Sequence, residues 1–335
     1  MYPNDVQNLS LIYLDEKQEN FSNLSAGFLI KAIGEGKKIA YIDFQDLTTK
    51  LTNFIENISL SYSFIKSLPN FQIDIYKFKQ NNTISKTLIP QVEFSAINPE
   101  TFWNSLNNYN LIILENLDLK LINKIKLLSL LKNKNPNTNI IAITKNNKDF
   151  ELLKNEFNKS TKINYKENNS LIATKGLTNI LGKGYGKTSY SIGYLIRKFI
   201  SKNNVKLIYF DKGDDVYGDA IFFSALKKWT KENNFYGTFD FVKTGIKRHY
   251  NNSYREDQNE LDKKEAKDAL MLLKTSLKKQ SPVIADELNL AIQNNLLSLQ
   301  EVLPILQELK EELIITGENS NQKILDLSQN IINLE

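Results

Sequence analysis

The sequence contains no cysteine, and His249 is the single histidine among its 335 residues. The lack of cysteine excludes disulfides, thiolate metal sites and cysteine nucleophiles. One histidine argues against a multi-histidine metal site or a Ser-His-Asp triad within the chain. The composition therefore disfavours most enzyme chemistry that depends on a side-chain nucleophile.

Long apolar runs are also missing. None approaches the roughly 18 to 20 residues that a membrane span requires, and the N-terminal MYPNDVQNLS lacks the basic region and apolar core of a secretory signal. The hydrophobic content of 41% is enough for one large or two ordinary cores. We therefore expect a soluble, cytoplasmic protein without a membrane partner.

The positive charge is spread out and not concentrated in one block. The formal net charge is +5, and lysines and asparagines occur along the whole chain, as in LKNKNPNTN and FNKSTKINYKENN. A nucleic-acid-binding surface needs a clustered basic face. We therefore expect no nucleic-acid partner.

Glycine is scarce in the first half, where only Gly27, Gly34 and Gly36 occur; the other ten glycines lie from Gly176 onward. Because glycine permits close approach of the backbone to a ligand, such chemistry is expected in the second half.

Both halves nevertheless predict the same order of elements. A strand, a helix and a strand are predicted at LTNIL, KTSYSIGYLIRKFIS and VKLIYFD, and again at LIYLD, LSAGFLIKAIG and KIAYIDF. When the two halves are aligned with an offset of 166 residues, Gly27 corresponds to Gly193. With an offset of 171 residues, Glu115 corresponds to Asp286. Apolar strands alternating with amphipathic helices predict two tandem α/β domains, each a mainly parallel sheet covered by helices, joined near residues 162–170.

The most informative stretch is the glycine-rich LGKGYGKTS, placed between a predicted strand and a predicted helix. The common phosphate-binding pattern G-x-x-x-x-G-K-[ST] needs a glycine where this chain has Leu181. The glycines still let backbone N–H groups converge on an anion at a helix N-terminus, Lys187 supplies a positive charge, and the Thr188 hydroxyl can reach Mg²⁺. The predicted ATP-binding residues are Gly182, Lys183, Gly184, Tyr185, Gly186, Lys187, Thr188 and Ser189.

A carboxylate for the metal follows another apolar strand. In SPVIADELN, Asp286 and Glu287 come directly after the apolar residues, and together with Thr188 they are the predicted magnesium ligands or magnesium-supporting groups.

At these residues the chain resembles the ATP:corrinoid adenosyltransferases, the cob(I)alamin adenosyltransferase family with a P-loop fold. That family's loop reads G-x-G-x-G-K-T, as residues 182–188 do, and the segment DELNLA…LLSLQEVL at 286–302 carries the most specific likeness. The resemblance covers roughly residues 171–335. It implies two P-loop-like domains in one chain, 1–165 and 166–335, that act as a pseudo-dimer.

The first domain would be a degenerate copy without a functional P-loop. Phe21 and Ser22 stand where the second half has Lys187 and Thr188, and Asn116 stands opposite Glu287.

The resemblance implies that cobalt(I) of a reduced corrinoid attacks the 5′ carbon of ATP and that tripolyphosphate leaves, with Mg²⁺ as cofactor. The enzyme would be of the cob(I)yrinic acid a,c-diamide or cob(I)alamin adenosyltransferase type. The expected corrinoid-contacting residues are Lys212, Gly245, Ile246, Arg248, His249 and Asn289. The expected partners are the corrinoid itself and a reductase or corrinoid-dependent enzyme, and the chain would act as a monomeric pseudo-dimer or a higher oligomer.

Two alternatives stay open at the level of sequence. One is a non-catalytic ATP- or corrinoid-binding module, and the other is a different P-loop ATPase or kinase.

Overall fold

The computed structural model describes residues 9–14, 22–44, 53–55, 57–58, 61–78, 84–89, 93–97, 99–120, 124–168, 170, 172–183, 186–210, 218–235, 237–245, 256–279 and 282–335. The strands are β1 (Leu9–Leu14), β2 (Lys38–Asp43), β3 (Gln72–Phe78), β4 (Ile84–Ile89), β5 (Glu93–Ile97), β6 (Leu111–Glu115), β7 (Asn139–Thr144), β8 (Lys159–Glu167), β9 (Thr174–Leu181), β10 (Val205–Tyr209), β11 (Phe239–Lys243), β12 (Val283–Asp286), β13 (Leu313–Thr316) and β14 (Ser328–Leu334).

The helices flank these strands. They are α1 (Ser22–Gly34), α2 (Tyr62–Lys66), α3 (Pro99–Ser105), α4 (Lys124–Asn133), α5 (Asn147–Leu153), α6 (Lys187–Ile200), α7 (Gly218–Glu232), α8 (Glu256–Ser276), α9 (Leu288–Gln293), α10 (Leu299–Gln307) and α11 (Gln322–Leu327).

The strands form one continuous sheet in the order β11-β10-β12-β13-β9-β14-β8-β1-β7-β6-β2-β3-β4-β5. Neighbouring strands are parallel except at β14–β8, β3–β4 and β4–β5. A mostly parallel sheet covered by helices is the architecture that alternating apolar strands and amphipathic helices predict. The predicted α/β class is therefore confirmed.

The two halves share one strand order. In the first half the order β3-β2-β6-β7-β1-β8 matches β11-β10-β12-β13-β9-β14 of the second half. The halves meet where β8 pairs antiparallel with β14. Because β8 runs parallel to β1, β14 runs parallel to β9, and β8 and β14 are antiparallel, β1 and β9 run in opposite directions. This is the relation that a two-fold axis through the sheet would produce, and the pseudo-dimer remains a prediction that fits it.

Helices α1 and α6 cross closely at the junction of the halves. A Cβ added to Gly27 would overlap the backbone of Ser189, and a Cβ added to Gly193 would overlap the backbone of Asn23. The same offset of 166 residues relates Gly27 to Gly193 and Asn23 to Ser189, so the two contacts are reciprocal. Glycine is needed at both positions because the backbones touch there.

The core is shared on one face of the sheet and divided on the other. One buried cluster contains residues of both halves, such as Ile12 and Leu24 with Ile180 and Phe199. On the opposite face, the first and second halves each have a separate cluster. The predicted boundary at residue 165 lies inside β8, which continues to Glu167. The division into two domains stays a prediction.

Candidate nucleotide site

The glycine-rich loop joins the end of β9 to the start of α6, as its position in the sequence predicts. Gly186 precedes the first helical residue with φ of 117°, a left-handed conformation that favours glycine. Lys187 Nζ donates a hydrogen bond of 2.6 Å to the carbonyl oxygen of Gly182. The ammonium group is therefore held over the loop, beside the N–H groups of the helix N-terminus that bind anions. The predicted residues Gly184 and Tyr185 lie outside the described residues.

A buried carboxylate lies next to the first turn of α6. Asp286 ends β12 and is fully buried. The Thr188 hydroxyl lies 3.2 Å from each Asp286 carboxylate oxygen, and the Thr316 hydroxyl donates to one of them at 2.8 Å. The predicted Thr188 and Asp286 are thus brought together, although nearly 100 residues separate them.

Glu287 has an unusual backbone conformation. Its φ of 64° lies in the left-handed region, which few residues other than glycine adopt without cost. Its backbone N–H donates to the Thr316 hydroxyl at 2.8 Å, which holds the turn after β12. This turn directs the Glu287 side chain to the wall of the pocket described below.

The oxygen atoms at this point suit a magnesium ion. Octahedral Mg²⁺ binds oxygen at about 2.1 Å, so two adjacent ligands lie about 3 Å apart. The 3.2 Å separation of the Thr188 and Asp286 oxygens fits that spacing or a water-bridged arrangement. Over the described part of the chain, no group of three or more His, Cys, Asp or Glu residues could hold a metal by itself. Water and nucleotide phosphates would supply the remaining ligands, as is usual for Mg²⁺.

A pocket of about 660 Å³ opens over the loop. From the second half it is lined by Lys183, Gly186, Lys187, Thr188, Ser189, Glu287 and Glu335. The first half contributes Lys31 from α1 and residues 158–161 from the start of β8. The volume lies in the range typical of small-molecule sites.

The family model for the ATP:corrinoid adenosyltransferases BtuR/CobO/CobP matches residues 174–335. The second half of the chain is therefore similar to this family. We refer to residues 174–335 as the adenosyltransferase half. The match begins at the first residue of β9 and includes the glycine-rich loop, Asp286 and the segment 286–302. The substrates of the family are ATP and a corrinoid.

The family match leaves the first half uncovered. No curated protein matches the chain with statistical significance. Among the described helices, none combines the length and the apolar character needed to cross a bilayer.

The loop predicted to contact the corrinoid begins at the same edge of the sheet as Asp286. Lys243 pairs with Tyr209, and Tyr209 pairs with Asp286. Because neighbouring strands are about 4.8 Å apart, the end of β11 lies about 10 Å from Asp286. Gly245 follows that strand with φ of 104°. The other predicted residues of this surface, Lys212, Ile246, Arg248 and His249, lie outside the described residues.

Asn289, another predicted corrinoid contact, lies in the first turn of α9. It is 2% exposed in the adenosyltransferase half. Its amide donates to Asn179 at 2.9 Å and accepts from the Ser320 hydroxyl at 3.0 Å, and Asn179 donates to Ser320 at 3.1 Å. This closed polar network ties α9 to β9 and to the segment after β13. Its role toward a corrinoid stays a prediction.

The equivalent position in the first half is chemically altered. Glu115 ends β6 as Asp286 ends β12, and Asn116 follows it with φ of 55°. Glu115 is 1% exposed, and one of its carboxylate oxygens has no hydrogen-bond partner among the residues described. Burial raises the pKa of Glu115 to about 8, while the Ser25 hydroxyl and the charges of Lys145 and Arg197 act to lower it. A neutral buried acid is a poor magnesium ligand.

Sequence patterns missed two groups at the site. Thr316 contacts Asp286 and the Glu287 backbone, and its position at a strand end was a usable signal. Lys31 and residues 158–161 of the first half line the pocket. The signal in the sequence for this wall was the offset of 166 residues, which aligns Lys31 at the end of α1 with Arg197 at the end of α6.

Proposed function

We propose that this protein transfers the 5′-deoxyadenosyl group of ATP to the cobalt(I) of a corrinoid and releases tripolyphosphate. The observation that carries the proposal is the contact of Thr188 with Asp286 beside the Lys187 loop, within the adenosyltransferase half. These groups suit a magnesium-bound triphosphate. The proposal extends the family's activity to this particular chain.

The reaction needs no nucleophile from the protein. The electron pair of cobalt(I) in the substrate forms the new cobalt–carbon bond at C5′, and the electrons of the broken C5′–O bond leave with tripolyphosphate. The protein binds, orients and excludes water. This division of labour fits a chain without cysteine and with one histidine.

The described residues have separate tasks in this proposal. Lys187 and the first N–H groups of α6 bind the phosphates that leave as tripolyphosphate. Thr188 and Asp286 would hold Mg²⁺, which would neutralise negative charge on the leaving group. Thr316 keeps the Asp286 carboxylate in place through its 2.8 Å hydrogen bond.

We further propose that the first half is a degenerate copy that covers the site of the second. In the first half, Glu115 is buried at the position equivalent to Asp286, the proposed metal ligand of the second half. Helix α1 and strand β8 of the first half border the nucleotide pocket. A homodimer of this family could use a second subunit for such cover, whereas this chain has the tandem half available. The cover would keep water away from a strongly reducing metal centre.

The direct test mixes the protein with ATP, Mg²⁺ and chemically reduced corrinoid under anaerobic conditions. We expect the corrinoid absorption spectrum to change to that of an alkylated cobalt, with one tripolyphosphate formed per adenosyl group transferred. ATP binding without transfer would favour a non-catalytic module. Formation of ADP in place of tripolyphosphate would instead favour an ATPase or kinase.

The nucleotide site has its own test. Lys187→Ala removes a charge-assisted phosphate contact worth about 1.5 to 3 kcal/mol, so ATP affinity should fall roughly tenfold to a hundredfold. Isothermal titration with ATP measures this, and Lys323→Ala, an exposed lysine in α11, is the matched control. Unchanged ATP affinity in Lys187→Ala would remove the assignment of the loop.

A further inference from the structure

The nucleotide pocket has a second wall that belongs to the first half. Lys31 lies in the last turn of α1, and residues 158–161 include the first residues of β8. All five line the same pocket as Lys187 and Thr188. This wall lies outside the segment that matches the adenosyltransferase family.

The sheet topology explains why these residues reach the site. β8 is antiparallel to β14, so its first residues lie at the edge where β9 and β14 end. The backbone N–H of Lys162 donates to the Glu335 carbonyl at 2.7 Å, and the Glu335 N–H donates to the Lys162 carbonyl at 2.9 Å. Asn23 near the start of α1 lies against Gly193 in the middle of α6, and Gly27 lies against Ser189 in the first turn of α6. Helix α1 therefore runs towards the loop of the second half, and Lys31 in its last turn lines the pocket there.

The charges of this wall suit an anion. Lys31 and Lys159 face a pocket that already contains Lys183 and Lys187 of the loop, against the two acidic residues Glu287 and Glu335. No described acidic side chain forms an ion pair with Lys31. The buried Thr161 and the exposed Ser160 add hydroxyl groups beside the lysines. Ammonium groups and hydroxyls are common phosphate ligands.

An independent observation comes from the other end of the junction. Arg197 occupies on α6 the position that Lys31 occupies on α1, at the offset of 166 residues. Arg197 donates to the side chain of Asn23 in the first half at 3.2 Å, and its charge acts on the buried Glu115. A cation at the end of each central helix therefore reaches across into the site of the other half.

We propose that Lys31 and Lys159 bind the polyphosphate of the nucleotide from the side opposite the glycine-rich loop. The first half thus supplies part of the ATP site of the second half, within a single chain. This inference rests on the proposed function, because it assigns the anion in the pocket to the phosphates of ATP. Lys31 and Lys159 retain tripolyphosphate as well as ATP, since both ligands carry the same anionic group.

The test uses the full-length protein and the variants Lys31→Met and Lys159→Met, which remove one charge at similar side-chain length. Isothermal titration with ATP and with tripolyphosphate should show about tenfold weaker binding for each variant. Lys31→Arg should bind both ligands nearly as tightly as the wild type. Melting temperatures without ligand should stay unchanged, which separates a binding role from a structural one.

The matched control is Lys132→Met. Lys132 also lies in the last turn of a first-half helix, and its side chain is exposed. Its ATP and tripolyphosphate affinities should equal those of the wild type. An equal loss in Lys132→Met would mean that the effect is only that of general charge, and it would overturn the inference.

The outcomes separate the inference from the proposed function. If Lys187→Ala weakens ATP binding while Lys31→Met and Lys159→Met do not, the nucleotide site stands and the inference fails. If Lys31→Met lowers the melting temperature and Lys31→Arg does not restore binding, the side chain is structural and the inference also fails. If the wild type binds neither ATP nor tripolyphosphate, both ideas are overturned.

Discussion

Glu115→Gln should change how the stability of this protein depends on pH. Glu115 ends β6 at the position that Asp286 occupies in β12, and it is almost completely buried. Asp286 accepts a hydrogen bond from Thr316 and lies within bonding distance of Thr188. One oxygen of Glu115 has no partner among the residues described. Desolvation is therefore the largest influence on the Glu115 carboxyl, and its pKa rises to about 8.

The size of this effect on stability follows from the shift in the pKa of Glu115. Raising the pKa of Glu115 from its ordinary value of 4.5 to about 8 corresponds to an upper limit on the order of 5 kcal/mol, because one pH unit is worth about 1.36 kcal/mol. The folded protein keeps the proton up to about pH 8, whereas the unfolded chain loses it near pH 4.5. The contribution of protonated Glu115 to the free energy of unfolding is thus fully present below the pKa of the unfolded chain. It is lost as the pH rises through the pKa of the folded protein.

Glutamine resembles the protonated acid in shape and hydrogen bonding but cannot ionise. Urea unfolding of Glu115→Gln and of the wild type should give similar free energies near about pH 4 to 5, where the acid is neutral in the folded state. Towards about pH 8, the free energy of unfolding of Glu115→Gln should exceed that of the wild type by several kcal/mol. Glu156→Gln, at an exposed position of the same half, should follow the wild type. A constant difference between Glu115→Gln and the wild type across this range would refute the reasoning.

Two further predictions concern the junction of the halves and the second half. Gly193→Ala should destabilise the protein by several kcal/mol, because a Cβ there would overlap the Asn23 backbone where α1 and α6 cross. Thermal melting measures the loss of stability. A melting temperature equal to that of the wild type would contradict the close crossing. Ser298→Ala should cost about 1 kcal/mol because it removes the cap of α10. Ser298 accepts a hydrogen bond from the Glu301 N–H, and the Glu301 carboxylate accepts one from the Ser298 N–H. Urea unfolding checks this prediction, and ATP affinity should stay unchanged because the cap lies outside the pocket.

Local patterns predicted much of the fold correctly. The strand at 177–181, the following helix and the strand at 205–209 were all readable from apolar periodicity and flanking glycines. The capping box at Ser298 is present as its S-x-x-E spacing predicts. The loop between Leu181 and Lys187 was recognisable because glycine spacing directly reflects the need for backbone N–H groups around an anion.

Contacts between distant residues could not be predicted in the same way. The approach of Thr316 to Asp286 depends on β12 and β13 being neighbours, and the enclosure of Asn289 depends on Asn179 and Ser320. Polar residues at strand ends look alike in a sequence, whether they face solvent, a ligand or each other. Only the packed sheet distinguishes these cases.

By itself, the amino-acid sequence determined the alternation of strands and helices, the glycine-rich loop and the recurrence of one element order in both halves, because each depends on residues close together in the chain. The tertiary structure decided that β8 and β14 join the two halves into one sheet. It also decided that Lys31 borders a pocket built on Lys187. These features arise from contacts between residues more than 150 positions apart in the chain. The backbone hydrogen bonds between β8 and β14 and the close crossing of α1 and α6 at Gly27 and Gly193 are such contacts. They leave no signal in the local periodicity of the sequence.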